Sequence, residues 1–174
     1  MRRVVLILVP ALGLLAACGP LGSSDTSAST DANQPTINLP TIPPPAQTAS
    51  CSFLKSTTVE DANGQHVGSV KINESDPSDR VCYFYRPDGG LQMTVRVYSG
   101  TTDVAQGLVN KAAPTSSASP ASEPTGWSGG YQSTSSGAVY AVSKGGEAVI
   151  VTTNQAQTIK ARVITEDTVT NLGL

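Results

Sequence analysis

Cys18 is the residue whose chemistry its neighbours specify most clearly. It ends the sequence Leu-Ala-Ala-Cys at residues 15–18, which follows two arginines at positions 2 and 3 and an apolar run over residues 4–15. That run is shorter than the about 20 residues that a helix needs to span a bilayer, and its length is typical of a signal peptide. The pattern predicts cleavage after residue 17 and a diacylglyceryl group on the Cys18 thiol. The alternative is an ordinary secretory signal in which Cys18 has no special role.

A lipid on Cys18 would determine where the protein is found. One acyl chain binds a membrane only marginally, whereas two or three chains hold a protein there. We therefore expect an exported protein that is anchored to the outer face of the cytoplasmic membrane. The rest of the chain would lie in the periplasmic or cell-wall space. The membrane is the one partner that the sequence predicts directly.

Cys51 and Cys82 are the two cysteines that remain after lipidation. An exported compartment permits disulfides, so a bridge between these two cysteines is the simplest account. Closing a loop of about 32 residues would stabilise the fold by roughly 3–4 kcal/mol. Since the chain has no Cys-x-x-Cys motif, the expected bridge is structural rather than redox-active. The alternative is a pair of buried free thiols.

Two segments match catalytic or metal-binding patterns only in part. Residues 126–130 read Gly-Trp-Ser-Gly-Gly, the G-x-S-x-G form of a hydrolase nucleophile elbow, but the only histidine, His66, precedes that serine. Residues 61–65 begin like a calcium loop, yet His66 and Ile72 stand where the loop needs glycine and glutamate. These segments therefore predict neither a catalytic residue nor a metal site.

Composition excludes further classes of function. The formal net charge is −2, with 11 basic and 13 acidic residues, so the chain lacks the basic surface of a nucleic-acid-binding protein. With Cys18 expected to carry a lipid, one histidine and two cysteines remain, fewer than the four Cys and His ligands that most structural zinc sites use. The sequence also has no glycine-rich phosphate loop and no dinucleotide fingerprint. We expect no cofactor.

Three segments organise the chain. Residues 1–17 are the predicted lipoprotein signal peptide. Residues 18–50 hold the lipidated cysteine and a tether rich in Ser, Thr and Pro, which has too few large apolar residues to form a packed structure. Residues 51–174 have the length of one domain. The sequence thus predicts a disordered tether followed by one globular domain.

Periodicity and turn signals predict an alternation of helices and hairpins in that domain. The order is α-β-β-β-α-β-β-β-α, which indicates an α+β fold with a single antiparallel sheet and helices packed on one face. The predicted helices span residues 51–61, 103–113 and 157–172. The predicted strands span residues 67–73, 80–86, 91–98, 127–132, 138–143 and 147–153.

Strand alternation suggests one candidate surface. If Cys82 faces the core, Tyr83 and Tyr85 point away from it and can join Arg96 and Tyr98 of the next strand in an exposed aromatic and basic patch. Tyrosine and arginine are enriched in recognition surfaces. The alternative is that another helix or loop covers these tyrosines. The remaining aromatic candidates for a binding surface are Trp127 and Tyr131.

A family resemblance extends over most of residues 51–174. The domain resembles an uncharacterised lipoprotein domain family of actinobacteria, of the mycobacterial and corynebacterial type. The resemblance implies the cysteine pair and a cell-envelope location but no activity, since that family has no assigned catalytic residues. The residues that carry it are Cys51-Ser52-Phe53-Leu54, Asn63-Gly64-Gln65, Cys82, Ala112-Ala113-Pro114, Gly126-Trp127-Ser128-Gly129-Gly130, Gly137-Ala138-Val139-Tyr140-Ala141-Val142, Asn154-Gln155, Ile159-Lys160-Ala161 and Asn171-Leu172-Gly173-Leu174.

These features lead to a functional expectation with two alternatives. We expect a non-enzymatic binding or interaction module of the envelope, which recognises a glycan, a lipid or a partner protein. The first alternative is a hydrolase or transferase that acts on envelope substrates through carboxylates such as Glu60, Asp61 and Glu147. The second is a structural surface protein without a small ligand. An enclosed apolar cavity would favour a lipid, whereas a solid core would favour glycan or protein contacts.

Overall fold

A computed structural model describes residues 37–174. The predicted signal peptide, Cys18 and the tether up to residue 36 lie outside the described residues. The elements are β1 (Gln47–Thr48), α1 (Ser56–Asn63), β2 (Ser69–Asn73), β3 (Asp79–Tyr85), β4 (Leu91–Ser99), α2 (Thr102–Ala112), β5 (Ser119–Ala121), β6 (Ser128–Thr134), β7 (Gly137–Lys144), β8 (Glu147–Thr153) and α3 (Thr158–Leu172).

The strands of this part of the chain form one antiparallel sheet. Its order is β1-β2-β3-β4-β8-β7-β6-β5, so the first four strands form one half and the last four form the other. The halves join where β4 pairs with β8, from Met93 opposite Thr153 to Ser99 opposite Glu147. The α+β class, the single antiparallel sheet and the approximate order of helices and strands are confirmed.

Helices cover both faces of the sheet, so the prediction that they pack on one face is wrong. Val149 and Val151 of β8 pack with α1 and α3, whereas Ala148 and Ile150 pack with α2. Neighbouring residues of a strand point to opposite faces, so α2 must lie opposite the other two helices. The reason is that β7 and β8 carry apolar side chains on both faces of the sheet, so each face needs a helix to cover it.

The predicted helices over residues 103–113 and 157–172 match α2 and α3 to within one residue, whereas the helix predicted over residues 51–61 begins only at Ser56 and extends to Asn63. α1 ends at Asn63, and Gly64 follows in the left-handed region with a φ of 70°. α3 ends at Leu172, and Gly173 follows with a φ of 66°. Glycine adopts this conformation without the steric cost that a Cβ atom imposes. Gly64 and Gly173 therefore provide the left-handed residue at which α1 and α3 end.

The disulfide between Cys51 and Cys82 is present. The two Cα atoms lie 5.7 Å apart, within the normal range for a bridge. Cys82 is fully buried in β3, and Cys51 packs at the edge of the same core, just before α1. The bridge therefore ties the chain ahead of α1 to the interior of the sheet.

The folded domain begins well before residue 51. Residues 37–46, which we call the strap, lie along β2, β3 and β4, and β1 then pairs with β2 through Gln47 opposite Ile72 and Thr48 opposite Lys71. The prediction of a disordered tether is therefore wrong for residues 37–50. Composition indicated disorder because this segment has few apolar side chains, but the sheet holds its backbone by hydrogen bonds.

Within residues 37–174, no helix combines the length and the apolar character that are needed to cross a bilayer.

Candidate functional site

The predicted aromatic and basic patch is covered rather than exposed. Tyr83 and Arg96 are buried, and Tyr85 and Tyr98 are half-buried. Tyr83 donates a hydrogen bond to the carbonyl oxygen of Pro43, and Arg96 donates through Nη2 to the carbonyl oxygens of Pro40 and Thr41 at 3.2 and 3.4 Å. The alternation of side chains along the strands correctly predicted that these four residues share one face of the sheet, but the strap lies over that face. Exposure of the patch was the wrong prediction.

Trp127 is also not a surface residue. Its side chain is 3% exposed and belongs to the main core, where the Lys144 Nζ atom lies 5.9 Å from the centre of its ring. The sequence offers Trp127 only as an aromatic candidate for a binding surface, and its burial makes that prediction wrong. The ring instead fills the space beneath β7, so its removal would affect the core rather than a ligand.

Tyr131 is the sequence-predicted candidate that lies at an open depression. Two adjoining depressions, of about 380 and 340 Å³, share Tyr131 and Thr158 as lining residues. We call them together the tyrosine groove. The groove runs between the β5–β6 edge of the sheet and the first turn of α3. Its remaining lining residues are Ser117, Ser119, Pro120, Ala121, Ser122, Glu123, Gln132, Ser133, Tyr140, Ile159 and Arg162.

Two stacked tyrosines form the centre of the groove. Tyr131 of β6 lies directly opposite Tyr140 of β7. The centroids of the two rings are 5.9 Å apart, and the ring planes differ by 11°. Tyr140 is buried and donates its hydroxyl to the carbonyl oxygen of Glu123 at 2.9 Å. Burial raises the pKa of the Tyr140 hydroxyl above its usual value. Tyr140 thus supports the half-exposed ring of Tyr131 from behind.

Charged and apolar groups line the larger depression. Glu123 provides a carboxylate from the loop after β5, and Arg162 provides a guanidinium group from α3. The Nε atom of Arg162 lies 3.5 Å from Glu166, one helical turn away, and makes no hydrogen bond. Ile159 forms an apolar wall and is 49% exposed. The groove therefore offers an aromatic face, both signs of charge and an apolar wall.

The carboxylates of the hydrolase alternative do not form a cluster. Glu60 and Asp61 lie on α1, whose last residue Asn63 contacts Thr153 at the end of β8, whereas Glu147 begins that strand. A seven-residue strand separates its ends by about 20 Å. The N–H of Val67 donates to Glu60 and holds the pKa of that carboxyl below its usual value. Glu147 accepts a hydrogen bond from the Ser99 hydroxyl at 2.5 Å.

One group of potential metal ligands has another explanation. The Sγ atoms of Cys51 and Cys82 lie within 4.8 Å of a carboxylate oxygen of Glu74. The two sulfurs are bonded to each other, and Glu74 accepts a hydrogen bond from the Ser52 hydroxyl at 2.6 Å. A disulfide offers no thiolate to a metal ion. The group is a structural feature of the bridge.

Sequence reasoning found Tyr131 but missed its neighbours in the groove. Tyr140 reads as one more residue of a buried strand, and only the pairing of β6 with β7 places it beside Tyr131. Glu123 and Arg162 lie about 40 residues apart in the chain, in segments without a recognisable motif. The sequence signal that could have indicated this part of the groove is Ile159, an apolar residue next to the start of a helix.

A comparison with family models gives one match. The model described as a domain of unknown function, DUF2020, matches residues 35–174. The match begins two residues ahead of the strap rather than at Cys51, so the family's domain includes the strap. No curated protein matches the chain.

Proposed function

The chain belongs to the DUF2020 family, whose function is unknown, and we propose that this protein is a membrane-anchored envelope lipoprotein that binds an envelope glycan in the tyrosine groove. The observation that carries the glycan assignment is the arrangement of two adjoining depressions on either side of one half-exposed tyrosine. An elongated groove around an aromatic ring fits an extended chain of sugar units.

The lining chemistry supports a sugar ligand. The C–H bonds of a sugar ring pack well on an aromatic face, and Tyr131 presents such a face, which Tyr140 holds from behind. Three serine hydroxyls and the Gln132 amide of the smaller depression can exchange hydrogen bonds with sugar hydroxyl and N-acetyl groups. Arg162 can bind a carboxylate, a group that bacterial peptidoglycan carries.

The packed interior and the open groove favour a glycan ligand over a lipid ligand. The apolar side chains on the two faces of the sheet form packed clusters beneath the helices, and the tyrosine groove lies at the surface. A carrier of acyl chains would need an enclosed apolar cavity to keep the chains from water. An open groove with polar lining instead suits a ligand that remains partly in water.

The proposed anchor places the groove within reach of the cell wall. Eighteen residues separate Cys18 from Ile37, the first described residue. At about 3.4 Å for each residue, that stretch of chain can span at most roughly 65 Å. A lipid on Cys18 would therefore keep the domain close to the membrane surface, where the inner layers of an envelope glycan begin.

Tyr131→Ala tests the site. We expect the affinity of the purified protein for soluble muropeptides, the disaccharide-peptide fragments of peptidoglycan, to fall about tenfold, or about 1.4 kcal/mol, because the aromatic face is lost. Isothermal titration calorimetry measures the change. Tyr85→Ala is the matched control, since Tyr85 is a half-buried tyrosine of β3 outside the groove. Equal affinities of wild type and Tyr131→Ala would contradict the assignment.

A further inference from the structure

The strap is a proline-rich segment that the sheet holds mainly by its carbonyl groups. Residues 39–45 read Leu-Pro-Thr-Ile-Pro-Pro-Pro. Proline lacks an N–H group, so such a segment accepts many more hydrogen bonds than it donates. The strap accepts hydrogen bonds at the carbonyl oxygens of Pro40, Thr41, Pro43 and Pro44. The sheet donates these bonds through the side chains of Arg96, Tyr83 and Asn73.

The pattern of burial along the strap matches a polyproline helix. Pro40 and Pro43 are half-buried, whereas Thr41, Ile42, Pro44 and Pro45 are exposed. A polyproline II helix has three residues in each turn, so residues 40 and 43 fall on the same side of it. Leu39 precedes them and packs against α2 at Gly107, where an added Cβ atom would lie 2.5 Å from the Leu39 Cδ2 atom. An aliphatic residue followed by Pro-x-x-Pro is therefore what this face accommodates.

The guanidinium group of Arg96 and the backbone of β3, both beneath the strap, are held by contacts outside it. Arg96 binds both carboxylate oxygens of Asp79, at 2.7 and 2.6 Å, and this pair fixes the direction of its guanidinium group. Tyr83 is held in β3 between its neighbours β2 and β4. Proteins recognise Pro-x-x-Pro segments in grooves lined by aromatic side chains, and here the Tyr83 ring lies beside a fixed donor, Arg96, and the small notch at Gly107.

We infer that the face beneath the strap is a binding site for proline-rich segments, which the strap occupies in cis and for which a proline-rich segment of another protein competes. The strap is suited to exchange because four of residues 39–45 are exposed and Ile42 is 47% exposed. The disulfide attaches the chain to β3 at Cys51, a contact in which the strap takes no part. This inference concerns other residues than the tyrosine groove and stands independently of the glycan proposal.

Competition in cis determines how the site responds to a partner. A linked segment has an effective concentration in the millimolar range, so a free peptide competes poorly for the intact protein. Weakening the strap lowers that competition and increases the apparent affinity for a peptide in proportion. The expected partner carries an aliphatic residue before Pro-x-x-Pro, as the strap does.

The test uses the full chain and a synthetic peptide with the sequence of residues 37–46. The variant Leu39→Gly/Pro43→Ala weakens the binding of the strap to its own domain. We expect the peptide to bind this variant at least ten times more tightly than it binds the wild type. Fluorescence anisotropy measures both affinities. Within that variant, Gly107→Ala should lower peptide binding several-fold, because the added methyl group fills the notch while alanine favours the helix. A peptide with alanine in place of both Pro-x-x-Pro prolines should bind neither protein.

Each remaining outcome overturns the inference. If Leu39→Gly/Pro43→Ala fails to fold, as judged by circular dichroism, the strap is an integral part of the domain and not an exchangeable ligand. If that variant folds but does not bind the peptide, the face does not recognise proline-rich segments. If light scattering finds that the variant binds only as dimers that exchange straps, the partner is a second copy of this chain and not another protein.

Discussion

Arg96→Met is expected to lower the free energy of unfolding by about 3–5 kcal/mol, because it leaves the carboxylate of Asp79 buried without its partner. The Arg96 and Asp79 side chains are 6% and 8% exposed, and two hydrogen bonds join them. Methionine conserves much of the side-chain volume, so the loss reports the unpaired charge and the missing hydrogen bonds to the strap rather than a cavity. Urea denaturation followed by circular dichroism measures it.

A surface ion pair provides the matched control. The Arg86 Nη2 atom lies 3.0 Å from Asp88, and the two side chains are 37% and 63% exposed. Water screens such a pair, so Arg86→Met should change the stability by less than about 1 kcal/mol. The double variant Asp79→Leu/Arg96→Met should recover much of the loss, since it removes the charge as well as its partner. Equal effects of Arg96→Met and Arg86→Met would contradict a buried, energetically coupled pair.

Removing the disulfide is expected to cost about 2–5 kcal/mol of stability. The bridge closes a loop between residues 31 positions apart, and this loop contains α1 and β2. Without it the unfolded chain gains conformational freedom, and the segment that precedes α1 loses its attachment to β3. Cys51→Ala/Cys82→Ala should therefore unfold at a clearly lower urea concentration than the oxidised wild type.

A reducing agent separates the bridge from the effect of substitution. Reduction should move the wild-type midpoint towards that of Cys51→Ala/Cys82→Ala, whereas the variant itself should not respond. Cys18→Ser should retain the wild-type midpoint, because its substitution leaves the bridge intact. A midpoint that is the same in oxidised and reduced wild-type protein would show that the bridge contributes nothing to stability.

Much of the fold could be predicted because its signals are local. The strands predicted over residues 91–98 and 147–153 agree with β4 and β8 to within one residue, because alternation and turn residues are visible within a short stretch of sequence. The short strands β1 and β5 were missed, since two and three residues are too few to show a period. α2 lies on the opposite face because β7 and β8 carry apolar side chains on both of their faces. An assignment that treats each strand separately does not show which helix covers which face.

The site was harder to predict because its parts meet only through tertiary structure. Alternation placed Tyr83 and Arg96 on one face, but what covers them comes from residues 40–43, about 40 to 56 positions earlier in the chain. A segment rich in proline reads as a tether unless the donors that hold it are known. Likewise, Tyr131 was recognisable as an aromatic candidate, whereas the support from Tyr140 required the strand register.

The most direct test of glycan binding is to locate the ligand on the protein. Nuclear magnetic resonance spectra of the isotope-labelled protein, titrated with soluble muropeptides, report which residues the ligand contacts. We expect saturable shifts centred on Tyr131 and Thr158, which line both depressions, and on Ser119, which lines the smaller one. Shifts centred on the face beneath the strap, or no shifts at millimolar muropeptide, would contradict the assignment of the tyrosine groove as the glycan site.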